Sequence, residues 1–402
     1  MSYIERNIKS IREDFPMLSR ENFIYFDNAA TSQKPVQVLK KVDWVYENLN
    51  ANVHRGVYRV AEEITQEYEN SRKEIASLIN ASQEEIIFTK NTTDSINLAA
   101  YMIMQKLKKD DKIVVTLLEH HSNLLPWRRI AQLTGAKIEI VRTTPEALID
   151  EEDFEKKIEG ARVLAVTHVS NVTGTIVDVR KLAKKAKEQG AIVLADGAQA
   201  APHMKIDVSV LGVDFYAFSG HKMLGPTGIG ALYGRKELLE ELEPPFTGGE
   251  MVKDVHVEGQ NWNEIPWKFE PGTPNYVGAI GFAEAVRYLK KITLEEIEAY
   301  ERKLSKYLVE SVESIKGLKY LGPRENRAAL VSFEIKGFHP HDVAAFLDMK
   351  GIAVRSGWHC AQPIQEELGF LSGTTRASLY FYNTFEEIDK FKKALEELVS
   401  LA

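Results

Sequence analysis

Short runs of β-branched and aromatic residues alternate with amphipathic stretches through the middle of the chain. The runs at 85–88, 112–116, 137–141, 163–166, 192–195, 215–218 and 229–233 are apolar almost throughout. That pattern predicts strands buried on both faces. Between several of them, 95–107, 124–133 and 179–188 carry apolar residues at helical spacing. Alternation of this kind predicts an α/β fold: a mostly parallel central sheet covered by helices.

Upstream, Val60, Ile64, Tyr68, Ser71, Ile75 and Leu78 fall on one face of a long helix, and 276–290 and 293–316 read as two more. The texture then changes. Strands at 329–335, 352–354 and 376–381 mix with helices at 341–349 and 386–399, an α+β pattern. The expected division is a large domain over 21–290 and a smaller α+β domain made of 1–20 plus 291–402. There are no internal repeats and no low-complexity linker.

Composition narrows the class. The chain has 402 residues, 44% of them hydrophobic and 27% charged, as in globular proteins. A net charge of −7 gives no electrostatic reason to bind nucleic acid or an anionic membrane surface. No run of apolar residues reaches the ~18 needed to span a bilayer. The first residues alternate charge rather than forming an apolar leader, so the expected compartment is the cytoplasm. With one cysteine there is no internal disulfide, and no Cys/His spacing suits a metal.

Chemistry concentrates at the ends of the predicted strands. Asp196-Gly-Ala-Gln199 follows one, and Ser219-Gly-His221-Lys222 follows another. Ligands of open α/β sheets sit outside the carboxyl ends of strands, so both loops should face one crevice. A lysine amine can condense with a cofactor aldehyde, and a carboxylate can keep a pyridine nitrogen protonated. Taken singly, such residues are more often caps or solvated charges. Thr92 and Thr93 open a helix after a strand, where hydroxyls and free N–H groups suit a phosphate; simple N-capping accounts for one threonine but less well for both. Ser219 and His221 would add donors. His120 or His121 could stack on an aromatic ring and relay protons, which makes His120 a candidate catalytic residue, and Asn171 also follows a strand. Cys360 lies in Arg355-Ser-Gly-Trp-His-Cys360, a polar loop that suits a nucleophile better than a core thiol. Arg376 could grip a substrate carboxylate, although an isolated arginine is more often a surface ion pair.

Several segments together carry a more specific signal. They are Tyr25-Phe-Asp-Asn-Ala-Ala-Thr31, Val53-His-Arg-Gly56, Glu119-His-His-Ser-Asn123, Asp196-Gly-Ala-Gln199, Ser219-Gly-His-Lys222, Phe269-Glu-Pro-Gly-Thr-Pro-Asn275, Arg355-Ser-Gly-Trp-His-Cys360 and Arg376-Ala-Ser. In this order, over nearly the whole chain, they resemble the pyridoxal-phosphate-dependent cysteine desulfurases of the Suf type, class V aminotransferase-like enzymes of fold type I. Asn91 and Asp94 stand where that family often has Gly and Glu.

The resemblance implies pyridoxal 5'-phosphate as cofactor, bound covalently by Lys222. Asp196 would pair with the ring nitrogen and Gln199 with the ring hydroxyl. His120 would stack on the ring, supported by Asn171. Thr92, Thr93, Ser219 and His221 would hold the phosphate, with Thr273 donated by a second subunit of a homodimer. Arg376 and the Asn28-Ala29-Ala30 turn would bind the substrate. L-cysteine would become L-alanine, with its sulfur left on Cys360 as a persulfide. Because the cysteine loop is short, a sulfur-acceptor protein would come to it, for sulfur delivery such as iron–sulfur cluster assembly. A selenocysteine lyase or cysteine-sulfinate desulfinase shares these motifs. A transaminase would give Cys360 no purpose, and an inactive scaffold would have no need of Lys222 and Asp196.

Overall fold

The computed structural model describes residues 2–401. Seven strands form the central sheet: β1 (Ile86–Thr89), β2 (Lys112–Thr116), β3 (Lys137–Val141), β4 (Ala161–Thr167), β5 (Ile192–Asp196), β6 (Phe215–Ser219) and β7 (Gly230–Gly234). Their spatial order is β1-β7-β6-β5-β4-β2-β3. Only β7 runs against its neighbours; the other pairings are parallel.

The inner strands are apolar because both faces are covered, whereas the edge strand β3 keeps Lys137 and Glu139 and is only partly buried. Along β2, Val114 belongs to one core cluster while Ile113 and Val115 belong to the other. That is the period-2 alternation of a sheet buried on both sides. Helices Arg59–Leu78 and Tyr276–Ile292 pack on one face, and helices Thr92–Met104 and Leu125–Thr134 on the other.

A second, four-stranded antiparallel sheet follows: β8 (Leu318–Leu321), β9 (Leu330–Ile335), β10 (Arg355–Gly357) and β11 (Thr374–Ser378), in the order β8-β9-β11-β10. Helices Leu294–Glu313, Pro340–Met349 and Phe385–Ser400 pack with it. The N-terminal helix Tyr3–Glu13 is tied to this part by Arg12–Glu387 at 2.9 Å and Lys303–Glu5 at 2.9 Å.

Three expectations change in detail. The strand expected at 376–381 starts earlier and ends earlier, so Arg376 sits at its centre, opposite Ser332 on one side and Arg355 on the other. Pairing with β9 and β10, rather than hydrophobicity, sets those limits. The 355–357 segment, read as loop, is the edge strand β10. The strand expected at 352–354 is Ile352–Ala353, which pairs in parallel with Ile24–Tyr25 and not with the small sheet. That pairing brings the Asn28-Ala29-Ala30 turn beside β11, where Asp27 bridges to Ser378.

An exposed hairpin, Val252–His256 with Gly259–Trp262, also escaped the hydrophobic pattern because it buries little. Among the described residues, no helix is long and apolar enough to cross a membrane.

Candidate active site

The carboxyl ends of β1, β2, β4, β5 and β6 open toward β11, and between them lies a cavity of about 220 Å³. Its wall contains two chemically distinct ends.

One end is a cluster of hydroxyls at a helix start. Asn91 caps helix Thr92–Met104 by accepting the Asp94 N–H at 3.0 Å, and Asp94 in return accepts the Lys90 N–H at 2.9 Å. The two departures from the family pattern therefore form a reciprocal cap. Thr92 N–H donates to Ser219 Oγ at 2.7 Å, the Thr92 and Ser219 hydroxyls lie 2.6 Å apart, and the Thr93 and Ser122 hydroxyls 2.7 Å apart. All four residues, with His221, face the cavity. Hydroxyls above the positive end of a 13-residue helix suit a phosphate.

The other end carries ionisable groups. Asp196 is buried, and burial pushes its pKa up; its Oδ1 accepts the Ala198 N–H at 3.0 Å. Gln199 donates to the Ala29 carbonyl at 2.7 Å, which leaves its amide oxygen for a ligand's hydroxyl proton. Lys222 lines the cavity. Its burial, opposed by Asp196, brings its pKa down to about 8. A lysine of that kind is about one-tenth neutral at pH 7, far more than a free lysine, and can act as nucleophile or base.

His120, not His121, lines the cavity. Its Nδ1 accepts the Ser122 N–H at 3.0 Å, so the ring proton resides on Nε2. Burial, then the charge of Lys222, pushes its pKa down to about 3. The ring stays neutral in the fold but would titrate near its ordinary value of 6.5 when unfolded. The unfolded chain therefore binds more protons between these values, and stability falls as pH drops from 6.5 toward 3. His168 and His221, each brought down to about 4 by burial, act in the same direction. His120→Gln is expected to reduce the acid-side slope of stability against pH by up to about 1.4 kcal/mol per pH unit. Urea unfolding from pH 7 to pH 4 measures it, and an unchanged slope contradicts the neutral ring.

Arg376 stands in the wall, held by the Asn171 carbonyl at 2.9 Å and Asp27 at 3.0 Å, with its Nε buried and unpartnered. Arg355, directly opposite on β10, also faces the cavity. Two guanidiniums side by side call for an anion between them, such as a substrate carboxylate.

Cys360 adjoins this wall without being part of it. Its neighbour His359 lines the cavity, and the Cys360 carbonyl accepts the His121 N–H at 2.7 Å. His359 and Cys360 both have left-handed backbones, φ 49° and 57°. For side-chain-bearing residues that costs about 1 kcal/mol or more each.

The cavity thus brings together Thr92, Thr93, His120, Asn171, Asp196, Gln199, Ser219, His221, Lys222, Arg376, Ala29 and Ala30. Asn28 is not in the wall. Its amide donates to the Ser378 carbonyl at 2.8 Å and Asn383 at 3.1 Å, and its oxygen accepts the Tyr382 hydroxyl, so the side chain braces the turn from behind. Thr273 is exposed and lies outside this chain's cavity.

Half-buried Lys34 and buried Glu119 lie behind the wall; the sequence assigned neither a role, although Glu119 opens the Glu119–Asn123 segment. Lys34, whose pKa burial brings down to about 8, donates to the His221 carbonyl at 2.9 Å, and Thr31 and Ser32 donate to the same oxygen. That clamp fixes the peptide just before Lys222. Glu119 accepts from Thr116 at 2.6 Å, Thr167 N–H at 3.0 Å and Asn123 at 2.6 Å, anchoring the turn that presents His120.

The sequence profile of the aminotransferase class-V family matches residues 24–391. The chain belongs to that family. Among its class-V relatives, a probable cysteine desulfurase of Halalkalibacterium halodurans is 49% identical over 398 residues, covering 97% of this chain and 98% of the relative. A probable cysteine desulfurase of Pyrococcus abyssi is 48% identical over 394 residues, 97% of each. An apo structure of the cysteine desulfurase from Thermococcus onnurineus superposes with a TM-score of 0.95 at 47% identity, over 98% of each chain. The Escherichia coli cysteine desulfurase CsdA, solved as an S-sulfonic acid, superposes with a TM-score of 0.91 at 38% identity, over 98% of this chain and 99% of that one.

Proposed function

We propose that the protein is a pyridoxal-phosphate-dependent cysteine desulfurase, converting L-cysteine to L-alanine and taking the sulfur onto Cys360 as a persulfide. One observation carries the reading: a single cavity holds Lys222, Asp196, a hydroxyl-lined helix start and two arginines, with Cys360 against its wall. Relatives named as cysteine desulfurases over nearly the full length support it.

The donor set fits the cofactor. Thr92, Thr93, Ser219 and His221 match its phosphate, buried Asp196 matches a protonated ring nitrogen, and Gln199 matches a ring hydroxyl. When bound, the cofactor supplies an aldehyde for Lys222 and a ring that takes up negative charge from the substrate's Cα.

The chain's own residues do the rest. Arg376, with Arg355 beside it, binds the substrate carboxylate and fixes its orientation. Lys222 Nζ takes the Cα proton and later returns a proton to the product carbon. Neutral His120 would stack on the ring without adding a charge there. The Cys360 sulfur attacks the substrate sulfur: a new S–S bond forms, the substrate C–S bond breaks, and its electron pair stays with the carbon that becomes alanine's methyl group. Comparing turnover of L-cysteine, selenocysteine and cysteine sulfinate tests the substrate assignment. Faster release from cysteine sulfinate, independent of Cys360, would overturn it.

The reading extends to a homodimer, in which the partner copy's Thr273 completes the phosphate site. Thr273 is exposed, and Val57, Tyr58, Val255 and Val257 lie exposed as well. Thr273→Ala is expected to weaken cofactor retention roughly tenfold, the effect of losing one hydrogen bond to a charged group. Equilibrium dialysis measures it, and sedimentation should give twice the chain mass. Wild-type retention contradicts the donation.

The persulfide would pass to an acceptor protein that approaches the surface, as in a Suf-type enzyme feeding iron–sulfur assembly. The cysteine is confined between β10 and helix Gln362–Glu367, with its carbonyl pinned, which leaves no length to swing outward.

A further inference from the structure

Asn171 occupies an unusual crossing point. Its backbone carbonyl accepts Arg376 Nη1 at 2.9 Å. Its side-chain Nδ2 lies 2.7 Å from the His359 carbonyl. A carbonyl can only accept, so the group facing it must be the amide NH2, and that fixes the amide's orientation. The other end, Oδ1, is buried with no partner in a residue of the cavity wall.

The segment gripped by Nδ2 needs gripping. His359 and Cys360 are consecutive left-handed residues, neither of them glycine. Such a pair persists only where its surroundings over-determine it. Two hydrogen bonds to neighbouring loops do so here: Asn171 Nδ2 on the His359 carbonyl and the His121 N–H on the Cys360 carbonyl, both at 2.7 Å. One pin comes from the loop after β4 and the other from the loop that carries His120.

We propose that Asn171 is a positioning residue that joins the substrate-binding arginine and the cavity to the nucleophile loop. Its side-chain amide holds Cys360 in register with the cavity. Its backbone carbonyl holds Arg376 in the wall, so one residue ties the arginine to the cysteine loop. The inference rests on the reading of Cys360 as sulfur acceptor, and it assigns Asn171 a task beyond supporting the ring.

The chain's single cysteine makes the test clean, because thiol labelling reports on Cys360 alone. Asn171→Asp keeps the side chain's size but removes the donor to His359; Asn171→Ser removes that donor without adding charge. In the holoenzyme, each variant should change the iodoacetamide alkylation rate of Cys360 and raise amide exchange at 359–361, by about tenfold for one lost hydrogen bond. Sulfide release should fall more than hydrogen exchange at the substrate Cα, since proton transfer does not need the loop. Cofactor absorbance and thermal melting establish that the variants are loaded and folded. Wild-type alkylation and amide exchange in both variants would overturn the proposal. If instead Cys360→Ala still turned cysteine into sulfide, the sulfur-acceptor reading itself would fail, whatever Asn171 does.

Discussion

Lys222→Ala is expected to lower alanine formation from L-cysteine by about 10⁴-fold or more, the scale of losing a positioned base together with the covalent anchor of the cofactor. The environment of Lys222 matters as much as its position. Burial brings the Lys222 pKa down to about 8, and only the neutral amine can condense with an aldehyde or take a proton. Lys222→Arg separates charge from chemistry. Arginine keeps the positive charge near Asp196 but does not give up its proton in a protein. Both variants should therefore be inactive, and both should hold the cofactor only by its non-covalent contacts. A Lys222→Arg enzyme within tenfold of wild type would mean the residue serves only as a counter-charge to Asp196. Absorbance of the bound cofactor before and after borohydride reduction measures the linkage directly.

Cys360→Ala should remove sulfide release from L-cysteine by at least about a thousandfold while leaving cofactor binding unchanged. The separation follows from geometry. The cavity wall includes His359 but not Cys360, so the thiol contributes nothing to the cofactor's cradle. Hydrogen exchange at the substrate Cα should continue in this variant, because Lys222 and Arg376 remain. Selenocysteine turnover should survive better than cysteine turnover, since selenium leaves carbon more readily than sulfur. Cα exchange and sulfide measured on the same sample decide the matter, and retained sulfide release removes Cys360 from the mechanism.

Much of this arrangement was legible along the chain. All seven central strands follow from apolar runs, with ends that agree or shift by at most two residues in either direction, because ladder pairing rather than hydrophobicity sets them. The rule that ligands meet the carboxyl ends of strands put Asp196, Ser219 and Lys222 at one crevice, where they lie. Missed elements share a cause. The Val252–Trp262 hairpin is polar and exposed, and β10 contains Arg, Ser and Gly, a strand only because β11 pairs with it. Arg355 becomes a site residue through that same pairing. Lys34 acts through a contact with a distant loop that no local pattern encodes, and the Glu119–Asn123 segment was visible without the roles that Glu119 takes toward Thr167 and Ser122 toward Thr93. Asn28 looked like a ligand-binding residue, but tertiary packing turned its side chain onto Ser378 and Asn383.

The most direct test incubates the purified holoenzyme with L-cysteine and a thiol reductant and quantifies alanine and sulfide together. Lys222 and Cys360 serving one cavity predicts equal amounts of the two products, both dependent on each residue. Alanine without sulfide, or sulfide accompanied by pyruvate instead of alanine, would contradict it.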